Sequence, residues 1–468
     1  MIQTASASAS ENTRPSPGPR WRFGAPLFLA ALLLLVASAP PPALAEQAAS
    51  YSRAFQEGRI DSGGGHTCAV LGNGTVRCWG NNAFGQLGYG NTKSIGDDEA
   101  PATAGPVDLG GHRAIAVSVG GVHSCALLDN GTVRCWGYNA YGQLGYGNTE
   151  NVGDNETPAS VGAVNLGAGR TATAISAGGM HTCALLDNGT VRCWGFNAWG
   201  QLGYGNTTQI GDNETPAAAG PVDLGGRNAV AISAGVYHTC ALLDDGSVRC
   251  WGRGDVGALG YGNTENVGDN ETPGSVAPVE LGRDALAISA GEVHTCALLV
   301  DGALRCWGYG ALGELGHGDT ETVGDDETPA SVAAVDLGAE AASGRYATAI
   351  SGAGSHTCAI LDNGTVRCWG YPGSGQLGYG NTAQIGDNET PGSVAPVQLG
   401  AGRSAVALAT GSDHTCALLD NGTVRCWGSS EKGQLGYGNV NSIGDDESPA
   451  SAGPVDLGGR NAVAISAG

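Results

Sequence analysis

The sequence predicts an all-β chain, a seven-bladed β-propeller with four short antiparallel strands per blade and a ring closed by the C-terminal strand. Three observations lead there. A motif of His-Thr/Ser-Cys-Ala, an Asn/Asp-Gly turn and Arg-Cys-Trp-Gly starts at His66, His123, His181, His238, His294, His356 and His414, in steps of 57, 58, 57, 56, 62 and 58 residues. A period of this length marks one supersecondary unit copied in tandem. Within each copy, short runs of alternating polarity are separated by glycines, and no segment repeats at helical period. The last run, Ala462 to Gly468, is the one that precedes each hairpin elsewhere, and no hairpin follows it here.

The third copy shows the elements in order. Residues 172–177 (Ala-Thr-Ala-Ile-Ser-Ala) form a β-type run, broken by Gly178-Gly179 before a second run through Thr182 to Leu186. Asp187-Asn188-Gly189 then turns the chain into Thr190 to Trp194, the pattern of a hairpin with a type I turn and a Gly bulge. This loop places Leu185 opposite Val191, Ala184 opposite Arg192 and Cys183 opposite Cys193. The cysteines fall at a non-hydrogen-bonded pair, where Cα atoms approach to about 4.5 Å, within reach of a disulfide. A fourth run, Pro221-Val222-Asp223-Leu224, follows a Gly-rich stretch and an acidic segment. Radial repetition of such units leaves no long exposed edge. Residues 462–467 are expected to complete the first blade beside residues 66–80; a truncated longer array is the competing reading of the abrupt end.

The first 45 residues are a different text. Arg14, Arg20 and Arg22 precede an apolar run from Phe23 to Ala39, then three prolines and Ala43-Leu44-Ala45. This is the layout of a secretory signal cleaved after Ala45, with residues 46–58 as a linker and 59–468 as the propeller. An uncleaved anchor is the alternative, although the run is short for a span and contains Pro26. Cleavage would remove three Arg and one Glu, changing the net charge from −22 to −24. So acidic a surface disfavours nucleic acid. The expected product is a secreted, periplasmic or cell-envelope monomer, without membrane attachment after cleavage.

Fourteen cysteines fall as two per copy: Cys68 with Cys78, Cys125 with Cys135, Cys183 with Cys193, Cys240 with Cys250, Cys296 with Cys306, Cys358 with Cys368, and Cys416 with Cys426. Even count, strict pairing and an export signal read as seven disulfides; metal binding is the alternative, at a spacing foreign to zinc knuckles.

The stretch from His181 to Gly195, followed by Gly200-Gln-Leu-Gly-Tyr-Gly-Asn206, resembles the repeat of the regulator of chromosome condensation family. The resemblance spans about residues 59–468 and implies a seven-bladed propeller. It implies no single function, because members include a nuclear guanine-nucleotide exchange factor, ubiquitin-ligase modules, a plant photoreceptor and secreted bacterial inhibitors of β-lactamase. The exported bacterial type matches this chain's setting most closely. Exchange-factor activity rests on the resemblance alone, since no copy carries a conspicuous insertion.

Identical positions serve the scaffold; differing positions are free for function. The repeated histidines offer the same group in every blade, which suits hydrogen bonding at the strand entrance rather than catalysis, and no catalytic residue is expected. Acidic segments such as Asp97-Asp98-Glu99, Asp325-Asp326-Glu327 and Asp445-Asp446-Glu447 offer hard oxygens for a weak calcium site, or are solvated turns. No other cofactor is implied. The Asn-Gly-Thr triplets match a glycosylation acceptor, but the hairpin turn itself demands Asn-Gly. The residue before each repeat His and the loop after each Trp-Gly vary, and supply Phe84, Tyr138, Tyr141, Met180, Phe196, Trp199, Tyr237 and Tyr309. On one face these would make an off-centre aromatic patch suited to a protein or surface ligand, including a secreted or periplasmic enzyme to be inhibited. Packing between blades is the plainer reading. A structural envelope module with calcium-bridged acidic loops is the alternative function.

Overall fold

The computed structural model describes residues 64–338 and 345–468. The signal peptide and linker expected over residues 1–58 lie outside this range. Seven three-stranded antiparallel sheets form the blades, numbered here by their repeat histidines. In the third, Ala172–Ala177 pairs with His181–Leu186, which pairs with Val191–Gly195. The expected register is found: Leu185 faces Val191, Ala184 faces Arg192, and Cys183 faces Cys193. The turn closes as a Gly-bulged loop, with Gly189 at φ +78°.

Every expected cysteine pair is disulfide-bonded, with Cα atoms 4.0–4.1 Å apart. Cys68 bonds Cys78 in the first blade, Cys125 bonds Cys135 in the second, and Cys183 bonds Cys193 in the third. Cys240 bonds Cys250, Cys296 bonds Cys306, Cys358 bonds Cys368 and Cys416 bonds Cys426 in the remaining four. The Cα separation is shorter than the sequence reading of about 4.5 Å, because the bridge draws the two strands of the hairpin together at this pair. The first blade is built from both ends of the repeat region, Ala462–Ala467 pairing with His66–Leu71 beside Val76–Gly80.

Two expectations are corrected. The fourth run is not a strand: Val222 N donates to the Val191 carbonyl at 2.8 Å, and that is its one bond to the sheet. Three residues on, Gly225 N donates at 2.9 Å to the Asp223 carboxylate, which turns the chain away. Val222 and Leu224 still plug the core from this edge. Second, single helical turns do occur, at Pro101–Ala104, Pro158–Ser160, Pro216–Ala219, Pro273–Ser275 and Pro391–Ser393. Each starts at a proline, whose fixed φ suits the first helical position. No described helix is long and apolar enough to cross a membrane.

The blades are joined by one repeated latch. His123 Nε2 bonds Thr182 Oγ1 of the next blade at 2.8 Å, and Thr182 Oγ1 donates to the Gln143 carbonyl at 2.9 Å. The indole Nε1 of buried Trp194 donates to that same carbonyl at 2.9 Å. Because the threonine proton goes to the carbonyl, the imidazole must be the donor, so the neutral ring carries its hydrogen on Nε2. The same step joins His66 to Ser124, His181 to Thr239, His238 to Thr295, His294 to Thr357, His356 to Thr415 and His414 to Thr67, the last closing the ring. Gly145, at φ +80°, makes room for the indole: a Cβ there would lie 2.7 Å from Trp194 Nε1. The first strands touch through a second set of bonds, such as Ala177 N to Ser118 Oγ at 2.9 Å. The outer strand, which carries the Trp, is capped by a tyrosine hydroxyl in six blades, Tyr204 bonding both N–H and C=O of Cys193, and by His317 against the Cys306 carbonyl in the fifth. This covers groups that would otherwise be an open edge.

Two expected outcomes follow from the latch. Thr182→Val keeps the volume but strips His123 of its acceptor and should cost about 1–3 kcal/mol in denaturant unfolding. Burial pushes the pKa of six of these histidines down to about 3 and that of His294 to about 4, with neighbouring imidazoles adding to it at His66, His181, His238 and His356. The unfolded chain protonates near pH 6.5 and the folded chain does not, so stability present above pH 6.5 is lost as pH falls toward 3. Each histidine contributes a slope of about 1.4 kcal/mol per pH unit within that window. Acid unfolding should therefore be steep, with net uptake of several protons in a potentiometric titration.

Candidate functional site

The two variable sets picked out by the sequence are adjacent in every blade. The residue after Trp-Gly donates its N–H to the carbonyl of the residue before the histidine: Tyr138 to Val122, Phe196 to Met180, Arg253 to Tyr237, Tyr309 to Val293, Tyr371 to Ser355 and Ser429 to Asp413, at 2.8–3.0 Å. Antiparallel pairing puts both segments at the end of the sheet opposite the Asn-Gly turn. The loops are stiffened from within. Asn197 Nδ2 donates to the Asn206 and Thr208 carbonyls at 2.8 Å, its Oδ1 accepts Leu202 N at 2.9 Å, and Gln201 Oε1 accepts Trp199 N at 3.0 Å. An aromatic side chain presented this way loses little entropy on binding.

The aromatic residues of neighbouring blades form a connected arc. Phe84 meets Tyr138 at 4.8 Å between ring centroids, Tyr138 meets Tyr141 at 6.3 Å, and Tyr141 meets Phe196 at 5.0 Å. Beyond them, the Arg253 guanidinium lies 5.2 Å from the Trp199 ring centroid and 5.7 Å from that of Tyr237, while bonding Asp255 at 2.7 Å. Phe84 and Trp199 are each 37% exposed, and the other rings and Met180 are half-buried. The rings therefore both pack across seams and face solvent. Met180 joins the arc through its backbone bond to Phe196; Tyr309 lies in the fifth blade and has no ring contact with the rest. Arg253, which bridges Trp199 and Tyr237, is a cation where other copies carry Asn, Tyr, Phe or Ser.

The other side of the face is acidic. Burial and the Asp413 charge push the Glu292 carboxyl up, against the pull of Arg253. Burial, with Glu292 adding to it, pushes Glu314 up to about 7. Asp413 is raised by burial and by Glu431. Asp413 and Glu431 lie in the variable segments that the sequence singles out; Glu292 and Glu314 lie outside them, although Glu314 stands where five copies have Gln and one has Ala.

The acidic segments lie at the seams, Gly147 N donating to the Gly211 carbonyl of the next blade at 3.0 Å. Arg192 donates to the Pro216 and Ala217 carbonyls at 2.7 and 2.9 Å rather than to the acids. In three segments, Asp97-Asp98-Glu99, Asp325-Asp326-Glu327 and Asp445-Asp446-Glu447, the carboxylate oxygens converge within 4.8 Å. Partial burial, hydrogen bonds from the adjacent Asp and like charge raise Glu327 and Glu447 to about 7. Among the described residues there are no free cysteines.

A closed ring of near-identical blades defines a β-propeller. The chain belongs to the RCC1-like family: the RCC1-like domain matches residues 39–336, and the regulator of chromosome condensation (RCC1) repeat matches residues 348–376, 363–418 and 405–434. It is 32% identical to the ultraviolet-B receptor UVR8 of Arabidopsis thaliana over 81% of this chain and 78% of that protein. It is 30% identical to the human E3 ubiquitin-protein ligase HERC2 over 81% of this chain, but spans only 7% of that protein. Its fold is that of Prp20p from Saccharomyces cerevisiae, with a TM-score of 0.62, 21% identity, and coverage of 86% and 89% of the two chains. These relatives are eukaryotic, so they lend nothing to the exported bacterial type.

The stacked guanidinium can be tested by fluorescence. Trp199 is exposed, whereas the seven frame tryptophans are fully buried. Arg253→Ala should raise acrylamide quenching relative to the parent protein; an unchanged quenching slope would count against the stacking.

Proposed function

We propose that this chain is an exported, non-enzymatic propeller that binds a protein or surface ligand through the aromatic arc of its first four blades, with inhibition of a secreted or periplasmic enzyme as the specific role. One observation carries the reading. Within a frame repeated sevenfold, the rings from Phe84 to Phe196 form one connected departure and Trp199, Arg253 and Tyr237 a second beside it, on loops whose backbone is already fixed. Aromatic and Arg side chains so placed are the usual anchors of protein interfaces. Seven disulfides support an oxidising compartment. Prp20p, a fold relative, is described with binding properties to Gsp1p and histones. Binding of a protein partner is carried over as a proposal, and Gsp1p and histones themselves are not.

Replacing Tyr141, Trp199 and Tyr237 together by Ala should abolish capture of a partner from the extracellular fraction of the source organism while leaving the melting temperature in place. Undiminished capture would remove this reading. A second reading, calcium bridging of the acidic loops in a structural envelope protein, is favoured by the convergent oxygens at Asp325, Asp326 and Glu327 and at the two equivalent triads. On that reading calcium raises the melting temperature in calorimetry, and a flat response disposes of it.

A further inference from the structure

The hairpin turns, at the end of each blade away from the variable loops, carry more than their geometry requires. Asn73, Asn130, Asn188, Asn363 and Asn421 each precede a Gly and stand two residues before a Thr. Such a turn accepts Asp as well as Asn. Blades four and five show it: Asp245-Gly246-Ser247 and Asp301-Gly302-Ala303 close the same loop, with Gly246 at φ +82° and Gly302 at φ +83°. Asp301 Oδ1 accepts the Ala303 N–H at 3.1 Å, as Asn188 Oδ1 accepts the Thr190 N–H at 3.2 Å. Neither a carboxamide nor a hydroxyl two residues on is needed for the fold, yet every copy with Asn also has Thr.

The two kinds of turn differ in chemistry. Arginines hold the Asp turns, Arg227 bonding Asp245 and Arg283 bonding Asp301, both at 2.8 Å. In the Asn turns an arginine goes instead to the preceding acid, as Arg403 does to Asp420 at 3.2 Å. All five Asn are exposed. Their Oδ1 atoms take the Thr hydroxyls at 2.7–2.8 Å, and among the described residues their Nδ2 atoms make no hydrogen bond. Other Asn-x-Thr triplets are unlike these. Asn206 Nδ2 donates to the Tyr204 carbonyl at 3.2 Å. The triplets of the acidic segments run into proline, and the hydroxyls of Thr157, Thr272 and Thr390 donate to an aspartate of the preceding copy at 3.0–3.3 Å.

We propose that Asn73, Asn130, Asn188, Asn363 and Asn421 are N-glycosylated during export, from a polyprenyl-diphosphate-linked oligosaccharide. An oligosaccharyltransferase of the export compartment forms the bond from Asn Nδ2 to the anomeric carbon as the bond from that carbon to the diphosphate oxygen breaks. Polyprenyl diphosphate leaves, and the displaced Nδ2 proton passes to a base of the transferase. Because His414 joins blade seven to blade one, the acceptor blades six, seven, one, two and three are contiguous, and blades four and five form one sugar-free sector. The glycans lie at the opposite end of the sheets from the aromatic arc and leave it open. The inference rests on the reading of this chain as exported.

The test is peptide mapping by mass spectrometry of the full chain secreted by its source organism. Sugar is expected on the five turn asparagines and none on Asn206 or on the acidic-segment asparagines. Asn188→Asp copies the turn residue of blade four and Thr190→Ala the third residue of blade five, so folding is not at issue for either. Each variant should lower the intact mass by one glycan. Secreted protein with no sugar at these five positions, or sugar at position 188 that survives Thr190→Ala, would overturn the inference and leave export standing. Protein recovered unmodified and only from the cytosol would overturn both.

Discussion

At each seam one backbone carbonyl, such as that of Gln143, takes two donors from the next blade, Thr182 and Trp194, while the histidine before it donates to the threonine. The arrangement is fully buried, and each member fixes the orientation of another. The identity of His, Thr or Ser, and Trp in all copies follows from it. So do the small residues around them, since the indole needs Gly145 and its equivalents. Disulfides act on a different level: each bridge lies inside one hairpin, ten residues apart, and none crosses a seam.

With cohesion confined to the frame, the face can vary. The side chains at positions 138, 196 and 253 are attached to the sheet by backbone bonds that any residue can make. Substitution there changes the surface without touching the latch. The third and fourth blades contribute Trp199, Tyr237 and Arg253, and the fifth and seventh contribute carboxylates. One rim thus carries an aromatic half and an acidic half.

Most of the scaffold was legible in the sequence because repetition supplies its own control. The Asn-Gly turn alone sets Cys183 opposite Cys193, and the unpaired run at 462–467 points to closure against residues 66–71. The fourth strand was misread because Val222 and Leu224 have the right pattern of burial; the competing bond from Gly225 to Asp223 leaves no trace in hydrophobic periodicity. Aromatic residues of the face could be named from their variability, and Phe84, Tyr138, Tyr141 and Phe196 do meet. Arg253, Asp413 and Glu431 fall in the variable segments and were legible only as charged neighbours of the aromatic patch; Glu292 and Glu314 were not, because both lie just outside those segments.

The seams are chemically alike, so the order of the blades is not written into their contacts. Blade three would dock beside blade six much as it does beside blade four, since both keep the inner Ser (Ser351 and Ser233); that hydroxyl is lost in blade seven, where Ala409 replaces it. Exchange or shuffling of whole copies would preserve the disc and rearrange only what its rim displays. The architecture is a cassette system, in which new recognition surfaces arise by permutation rather than by redesign of a core.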